Sequence, residues 1–521
     1  MLSPRRRSLY LILFVSLSLA LGCGGQKKPR VVVIGLDGAT WDVIEPWIES
    51  GELPNLKALR DRSAWGTLNS VIPYLSPPAW TSAITGVNPG RHGIFDFQRR
   101  LPGQDKIVTE TANSRRVEPI WMWLKAHKGP KCAVVNVPMT APPDEVDGVM
   151  VSGLPHLDQA AFAYPAEFQG ELESEGYRGY LDRMEMKIPD GEEQQVFDGL
   201  MGTLHKRWEL VRRLYAEGKY DFFWVVFTET DRVQHMFWKF DDPANPNYKS
   251  DRAALMHGSI KKLWLEQDRI LGEFLKMIPA DTWVLVLSDH GFGPMHHELR
   301  MGNYLRSPES GITEDEAGEV FCLDRSDAAR LYVRRAGSDP GDHFLSKQER
   351  RALRDRVADA SLRAVDPATR ERPVEHAYPD TAVFVGTQIE KGPYLTLLPS
   401  PGWYITLGDQ DLGFKLPPYG NISSTLSGWH RMNGIYMLAG PSVVSGRSTR
   451  AYSLLDVVPT LLYLMRQPIP EDAEGAVMEK LLTPAFFAKR KPVREGFLDE
   501  EYRQLSPEEE QRIKNLPYMG G

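Results

Sequence analysis

Residues 31–35 (VVVIG), Phe222–Phe227 (FFWVVF) and Trp283–Leu287 (WVLVL) are unbroken apolar runs of strand length. A strand that is apolar at every residue has no face to give to water. Such runs therefore predict a parallel sheet covered by helices on both sides. Residues 133–137 read as a further buried strand and 435–438 as a late one. Leu53, Leu56 and Leu59, and later Leu263, Ile270, Leu271, Phe274 and Leu275, recur at helical spacing. Alternation of strands and helices predicts an α/β domain with a mostly parallel sheet flanked by helices. Open sheets of this kind bind ligands beyond the carboxyl ends of their strands. Here those ends carry the polar chemistry: Asp37 follows the first run, Asp231 the second, and Asp289-His290 the third.

Asp231 and His235 are four residues apart, on one face of a helical turn. A solvated helix face would explain that pair, a helix cap would explain Asp289, and a structural role would explain His290 or His430, each taken alone. Gly35 and Gly38 around Asp37 permit close approach of backbone and ligand. Ser76-Pro77-Pro78 has the grammar of a helix start, with Ser76 as N-cap, Pro77 in the first helical position and Gly86 at the end. A serine there faces the positive end of a helix dipole, where backbone N–H groups favour phosphate. No Ser-His-Asp motif is evident to activate it, but a directly bound metal would lower its pKa. Charge balance supports the joint reading. Two divalent cations offset Asp37, Asp231, Asp289 and a Ser76 alkoxide to near zero, whereas three bare carboxylates would repel phosphate. Nitrogen and oxygen ligands without thiolate suit Zn²⁺ best and Mn²⁺ next.

The 521 residues carry a net charge of −7, with pI near 6.0, which argues against a basic nucleic-acid footprint. Arg5-Arg6-Arg7, an apolar stretch over residues 9–21 and a small residue before Cys23 read as a secretion signal over residues 1–23 ending in a bacterial lipobox. The apolar stretch is shorter than the roughly 20 residues needed to span a bilayer. The expectation is an exported protein, lipidated on Cys23, held on a membrane and facing the periplasm or cell exterior. Cys132 and Cys322 could pair or stay free. No internal repeat is evident.

Taken in order, the blocks around Asp37, Ser76, residues 85–94 (TGVNPGRHGI), Asp231 with His235, Asp289 with His290, and His430 followed by Gly434 resemble the alkaline phosphatase superfamily. Within it, they are most similar to the type I phosphodiesterase/nucleotide pyrophosphatase-like family, and the late helix with Pro459 also fits. The resemblance spans most of residues 30–470. It implies an alkaline phosphatase-like core over 30–96, 201–305 and 426–470, a cap insertion over 97–200, a second insertion over 306–425 and a C-terminal tail over 471–521, whose short helix is expected to be peripheral. It implies that Asp37, Asp289 and His290 bind one metal and Asp231, His235 and His430 the other. Ser76 would be the nucleophile, touching the first metal, with a phosphoserine-type intermediate then hydrolysed by water. The family's asparagine for a phosphate oxygen falls at Phe97 here, so that donor is absent or comes from elsewhere. Arg91, Arg99 and Arg100 are candidates, although a surface role is the ordinary one for each. Diester and monoester substrates both stay open: a monoester dianion wants an extra cation, a diester wants room for a second substituent. His296 and His297 could support the metal ligands, while His92, Trp121 and Trp123 read as structural. The leading expectation is a phosphodiesterase acting on a small-molecule or envelope phosphoester. The alternatives are a phosphomonoesterase, a phosphoryl or phosphoethanolamine transferase, and a non-enzymatic envelope binding lipoprotein. A sulfatase is disfavoured because Ser76-Pro-Pro-Ala lacks that group's arginine pattern.

Overall fold

A computed structural model describes residues 30–100, 106–157, 161–177, 186–324, 329–333, 345–408, 414–497 and 507–519. The expected signal segment, with Cys23, lies outside these residues. The three apolar runs form the centre of a ten-stranded sheet. Its order is Gly446–Arg447, Ala64–Asn69, Asn433–Ala439, Trp283–Leu287, Val31–Leu36, Phe222–Phe227, Cys132–Val135, Gly148–Val151 and Ala163–Tyr164, with Tyr452–Ser453 beside Ala64–Asn69. We label Val31–Leu36 β1, Phe222–Phe227 β2 and Trp283–Leu287 β3. β1 runs parallel between β2 and β3, and Cys132–Val135 continues the parallel set on the far side of β2. Antiparallel pairing is confined to Asn433–Ala439, against β3 and Ala64–Asn69, and to Ala163–Tyr164.

The all-apolar composition follows from burial on two faces. Val31 and Val33 enter one core, while Val32, Ile34 and Leu36 enter the other. Along β2, Phe222, Trp224 and Val226 alternate in the same way with Phe223, Val225 and Phe227. Each fully buried aliphatic or aromatic side chain contributes roughly 1.5–3 kcal/mol. Polar residues are therefore excluded until the strands end. Helix α1 (Ser76–Thr85) and the late helix Val457–Leu464 cover the first face; α2 (Glu229–Asp241) and Ser259–Met277 cover the second.

The expected domain boundaries need two corrections. Residues 97–200 do not form one cap, because three of their strands extend the large sheet. Cys132–Val135 is buried throughout and pairs in register with β2, Ala133 opposite Phe223, so it is used as a sheet strand. The hairpin of Gln98–Arg100 with Ile107–Thr109 stands apart from that sheet. The tail is also more than peripheral: Ile513, Leu516 and Tyr518 are buried in the main core, and the Tyr518 hydroxyl donates to Val383 O at 2.9 Å. The second insertion builds its own four-stranded sheet, Val320–Phe321, Arg330–Val333, Leu395–Pro399 and Val374–Pro379, packed on the helix Lys347–Arg363. That helix opens with the Ser346/Glu349 capping box. Cys132 and Cys322 do not form a disulfide with each other.

Candidate metal centre

Sheet register brings the three aspartates to one edge. Gly35 lies opposite both Val226 and Leu287, so the chain leaves β1, β2 and β3 at one level. Asp37 N–H donates to Phe227 O at 3.0 Å, and the Thr230 hydroxyl donates to Asp37 O at 2.6 Å, which ties the end of β1 to the first turn of α2. Gly38, at φ 67°, allows this turn. A Cβ there would approach the Asp231 backbone to 3.2 Å and the Phe292 ring to 3.0 Å. Gln234 then closes the junction by donating to Gly38 O at 2.9 Å.

β4 (Gly291–Arg300) begins directly after His290, and β5 (Gly428–Arg431) pairs with it antiparallel, placing His430 opposite Phe292. The His290 and His430 rings stack with centroids 3.7 Å apart. Two groups of three result: Asp37, Asp289 and His290, and Asp231, His235 and His430. In each, one ligand atom per residue lies within 4.8 Å of the others. The His235 and His430 Nε2 atoms are 2.9 Å apart, and Asp231 Oδ1 lies 3.4 Å from the first and 3.3 Å from the second. His290 Nε2 lies 3.2 Å from Asp289 Oδ2, 3.6 Å from Asp37 Oδ1 and 3.4 Å from Ser76 Oγ. All seven expected site residues thus meet in one place.

Their bonding fits bound cations. Asp37 Oδ1, Asp289 Oδ2 and Asp231 Oδ1 are sealed from solvent yet accept no hydrogen bond. Leaving such groups bare is costly. His235 Nδ1 faces Gly428 O at 2.8 Å, and His290 Nδ1 faces Gly291 O at 3.1 Å. A carbonyl only accepts, so each Nδ1 carries a proton and each ring turns its Nε2 inward, as metal-binding histidines do. Without a cation the electrostatics are adverse. Burial, then Asp289 and Asp231, raises Asp37 well above the carboxylate range. Burial, then Asp231, pushes Asp289 up to about 7. Asp231 would also rise on burial, but His235 and His430 outweigh this and hold it well below its ordinary value. Burial, then His430, keeps His290 neutral.

Ser76 differs from the expected cap. It is the first residue of α1, with Leu75 preceding it as N-cap, and no side chain caps this helix. Its hydroxyl instead faces His290. Gly86 ends the helix at φ 73°, as its position suggests. Pro77 and Pro78 carry no N–H, and Ala79 N–H donates to Leu75 O. The helix start therefore offers a phosphate fewer donors than an ordinary N-terminus. Trp80, one turn along, donates its indole N–H to Asp37 Oδ2 at 3.0 Å and joins the serine helix to the first group. A Cβ on Gly35 would meet the Trp80 ring at 2.5 Å, so the glycine admits it. Sequence reasoning missed Trp80. The available signal was its i+4 spacing from Ser76 on the same helix face.

The arginines weighed as phosphate donors are engaged elsewhere. Arg91 is buried, with Asp472 at 2.7 Å and Glu474 at 3.6 Å, and so fastens the residue 85–94 loop to the C-terminal segment. Arg99 pairs with Glu110 at 3.1 Å, and Arg100 lies over the Phe321 ring. Phe97 is half-buried, and its carbonyl accepts from Glu110 N. His92 is structural, with Ser82 Oγ at 2.9 Å from its Nε2. His296 pairs with Asp242 at 2.6 Å, and His297 packs on Trp403. Trp121 and Trp123 are buried, donating to Asp144 and Pro468 O.

The family model described as Type I phosphodiesterase / nucleotide pyrophosphatase matches residues 31–430. Among solved structures, murine ectonucleotide pyrophosphatase / phosphodiesterase 5 is similar at a TM-score of 0.54 and 14% identity, covering 87% of this chain and 100% of that one. The human protein of the same name gives 0.52 and 14%, with 87% and 100% covered. Phosphonoacetate hydrolase from Sinorhizobium meliloti 1021, in complex with phosphonoacetate, gives 0.51 and 16%, with 84% and 96% covered. At these identities the likeness establishes a shared fold. Comparison with curated proteins finds no match.

Proposed function

The chain belongs to the type I phosphodiesterase / nucleotide pyrophosphatase family of metal-dependent phosphoester hydrolases, and from that premise we propose that it cleaves phosphodiesters with Ser76 as nucleophile at a two-metal centre. The observation that carries this reading is the convergence of two three-residue ligand groups beside one serine hydroxyl. Asp37, Asp289 and His290 would hold one ion, and Asp231, His235 and His430 the other. Two divalent cations, when bound, would supply Lewis-acid charge that lowers the hydroxyl pKa and offsets charge on the phosphoryl group; zinc suits these nitrogen and oxygen donors best.

The residues themselves divide the remaining work. Rigid seating of Ser76 on a buried helix, with Trp80 anchored to Asp37, holds Oγ at the mouth of the site. Ser76 Oγ forms a bond to phosphorus as the bond to the departing alcohol breaks, and the serine proton is matched by protonation of that alcohol. Water then cleaves the phosphoserine ester, restoring the hydroxyl and releasing a phosphomonoester. Ser76 and Asp231 keep 8% and 9% of their surface exposed, while Asp289 and His290 keep none, so substrate approaches from the serine and second-group side.

Zinc-loaded protein should hydrolyse bis(4-nitrophenyl) phosphate and lose that activity on chelation. Protein that binds two zinc ions yet leaves both this diester and 4-nitrophenyl phosphate intact would count against the assignment.

We also propose that Cys23 is lipidated after export, on the strength of the basic, apolar and small-residue succession before it. No helix among the described residues is long and apolar enough to cross a membrane. Cys23→Ser should move most of the protein from the membrane to the soluble fraction. An unchanged distribution would exclude the anchor.

A further inference from the structure

Six arginines are buried among the described residues: Arg60, Arg91, Arg207, Arg232, Arg330 and Arg354. Five sit against a carboxylate, at 2.6 Å for Glu49, 2.7 Å for Asp472, 2.8 Å for Glu229, 2.9 Å for Asp96 and 2.6 Å for Asp380. Arg232 is the exception. Only 7% of it is exposed, yet its side chain makes no hydrogen bond or ion pair with the described residues. None of its nitrogens is sealed from solvent, so the guanidinium meets water where the other five meet a carboxylate, and that water can be exchanged for an anion. The position of Arg232 suggests what would complete it. It precedes His235 by three residues on α2, within one helical turn, and directly follows Asp231 in the chain, so its stem leaves the helix on the flank of the second group.

The same centre is short of donors for phosphoryl oxygens. Pro77 and Pro78 remove two N–H groups from the helix start, and Arg91, Arg99 and Arg100 are occupied. We propose that the Arg232 guanidinium takes an oxygen of a dianionic phosphoryl group, so that phosphomonoesters, as well as diesters, are substrates and inorganic phosphate is a ligand. A guanidinium fork matches two oxygens of such a group. The inference rests on the phosphoester-hydrolase reading and specifies the charge of the group it accepts.

The test uses zinc-loaded, full-length protein with Arg232→Gln and Arg232→Lys. For the glutamine variant, zinc content should be unchanged and the melting temperature should not fall, since no carboxylate is stranded. Inorganic phosphate, titrated calorimetrically, should bind about tenfold more weakly or worse, and kcat/KM for 4-nitrophenyl phosphate should drop by a similar factor. The value for bis(4-nitrophenyl) phosphate should change by less than about threefold, because that ester lacks the second charge. Lysine should recover part of the loss. Equal losses on both esters, or phosphate binding as in the unmodified protein, would overturn the proposal. Should the unmodified protein cleave neither ester, the hydrolase reading falls while the phosphate titration still decides the role of Arg232.

Discussion

Ser76→Ala should reduce phosphodiester turnover by on the order of 10⁴-fold or more while leaving two zinc ions bound. The size follows from the division of labour at the site. Ser76 Oγ is the hydroxyl that faces His290 Nε2, and water would have to replace it without the positioning that α1 provides. Metal retention follows because three other residues define each group, all held by contacts independent of the hydroxyl: Trp80 on Asp37, Gly428 O on His235 and Gly291 O on His290. Zinc content by elemental analysis and turnover of bis(4-nitrophenyl) phosphate should therefore part company. Turnover within tenfold of the unmodified protein would remove Ser76 from the reaction. Loss of zinc together with activity would make it a ligand first and foremost.

Zinc should bind the metal-free protein at least about tenfold more tightly at pH 8 than at pH 6, with protons released on binding. Without a cation, burial and the charge on Asp231 hold Asp289 at about 7, above its ordinary 3.8. At pH 6 the group is mostly protonated and must give up its proton to ligate; at pH 8 it is mostly ionised already. The apparent affinity thus falls by up to tenfold per pH unit below about 7 and levels off above it for this group. Asp37, raised by burial and by Asp289 and Asp231, steepens the dependence in the same direction. His290 is kept neutral by burial and takes no part over this range, and Asp231, held low by His235 and His430, is ionised throughout. Competition against a chelator of known protonation, with proton release measured in two buffers of different ionisation enthalpy, checks both magnitude and sign. Affinity that is flat or falls between pH 6 and pH 8 would contradict the buried-carboxylate account.

Much of this centre could be read before folding was considered. Asp37, Asp231 and Asp289 stand out because each follows a run that only a two-faced buried strand can use, and strand ends are where such sheets hold ligands. His235 inherits its place from helical spacing. His430 does not: as one histidine in Gly428–Arg431 it resembles any structural imidazole, and its partners are 195 and 199 residues away in the chain. Its role exists only because β5 pairs with β4 in a register that sets it opposite Phe292. The cap boundary failed for a related reason. Charge, proline and tryptophan in residues 97–200 suggested an excursion, whereas Cys132–Val135 found an unfilled place beside β2.

The sequence alone determined the layered α/β class, the order of the apolar strands and the residue types available for chemistry, because periodicity and burial are properties of short windows. Only the tertiary structure decided which distant side chains meet, that Arg91 is spent on Asp472, and that Arg232 has no counter-charge among the described residues. Ion pairing and ligand geometry depend on separations of a few ångströms between segments hundreds of residues apart, and strand register, which sets those separations, is fixed only when the whole sheet closes.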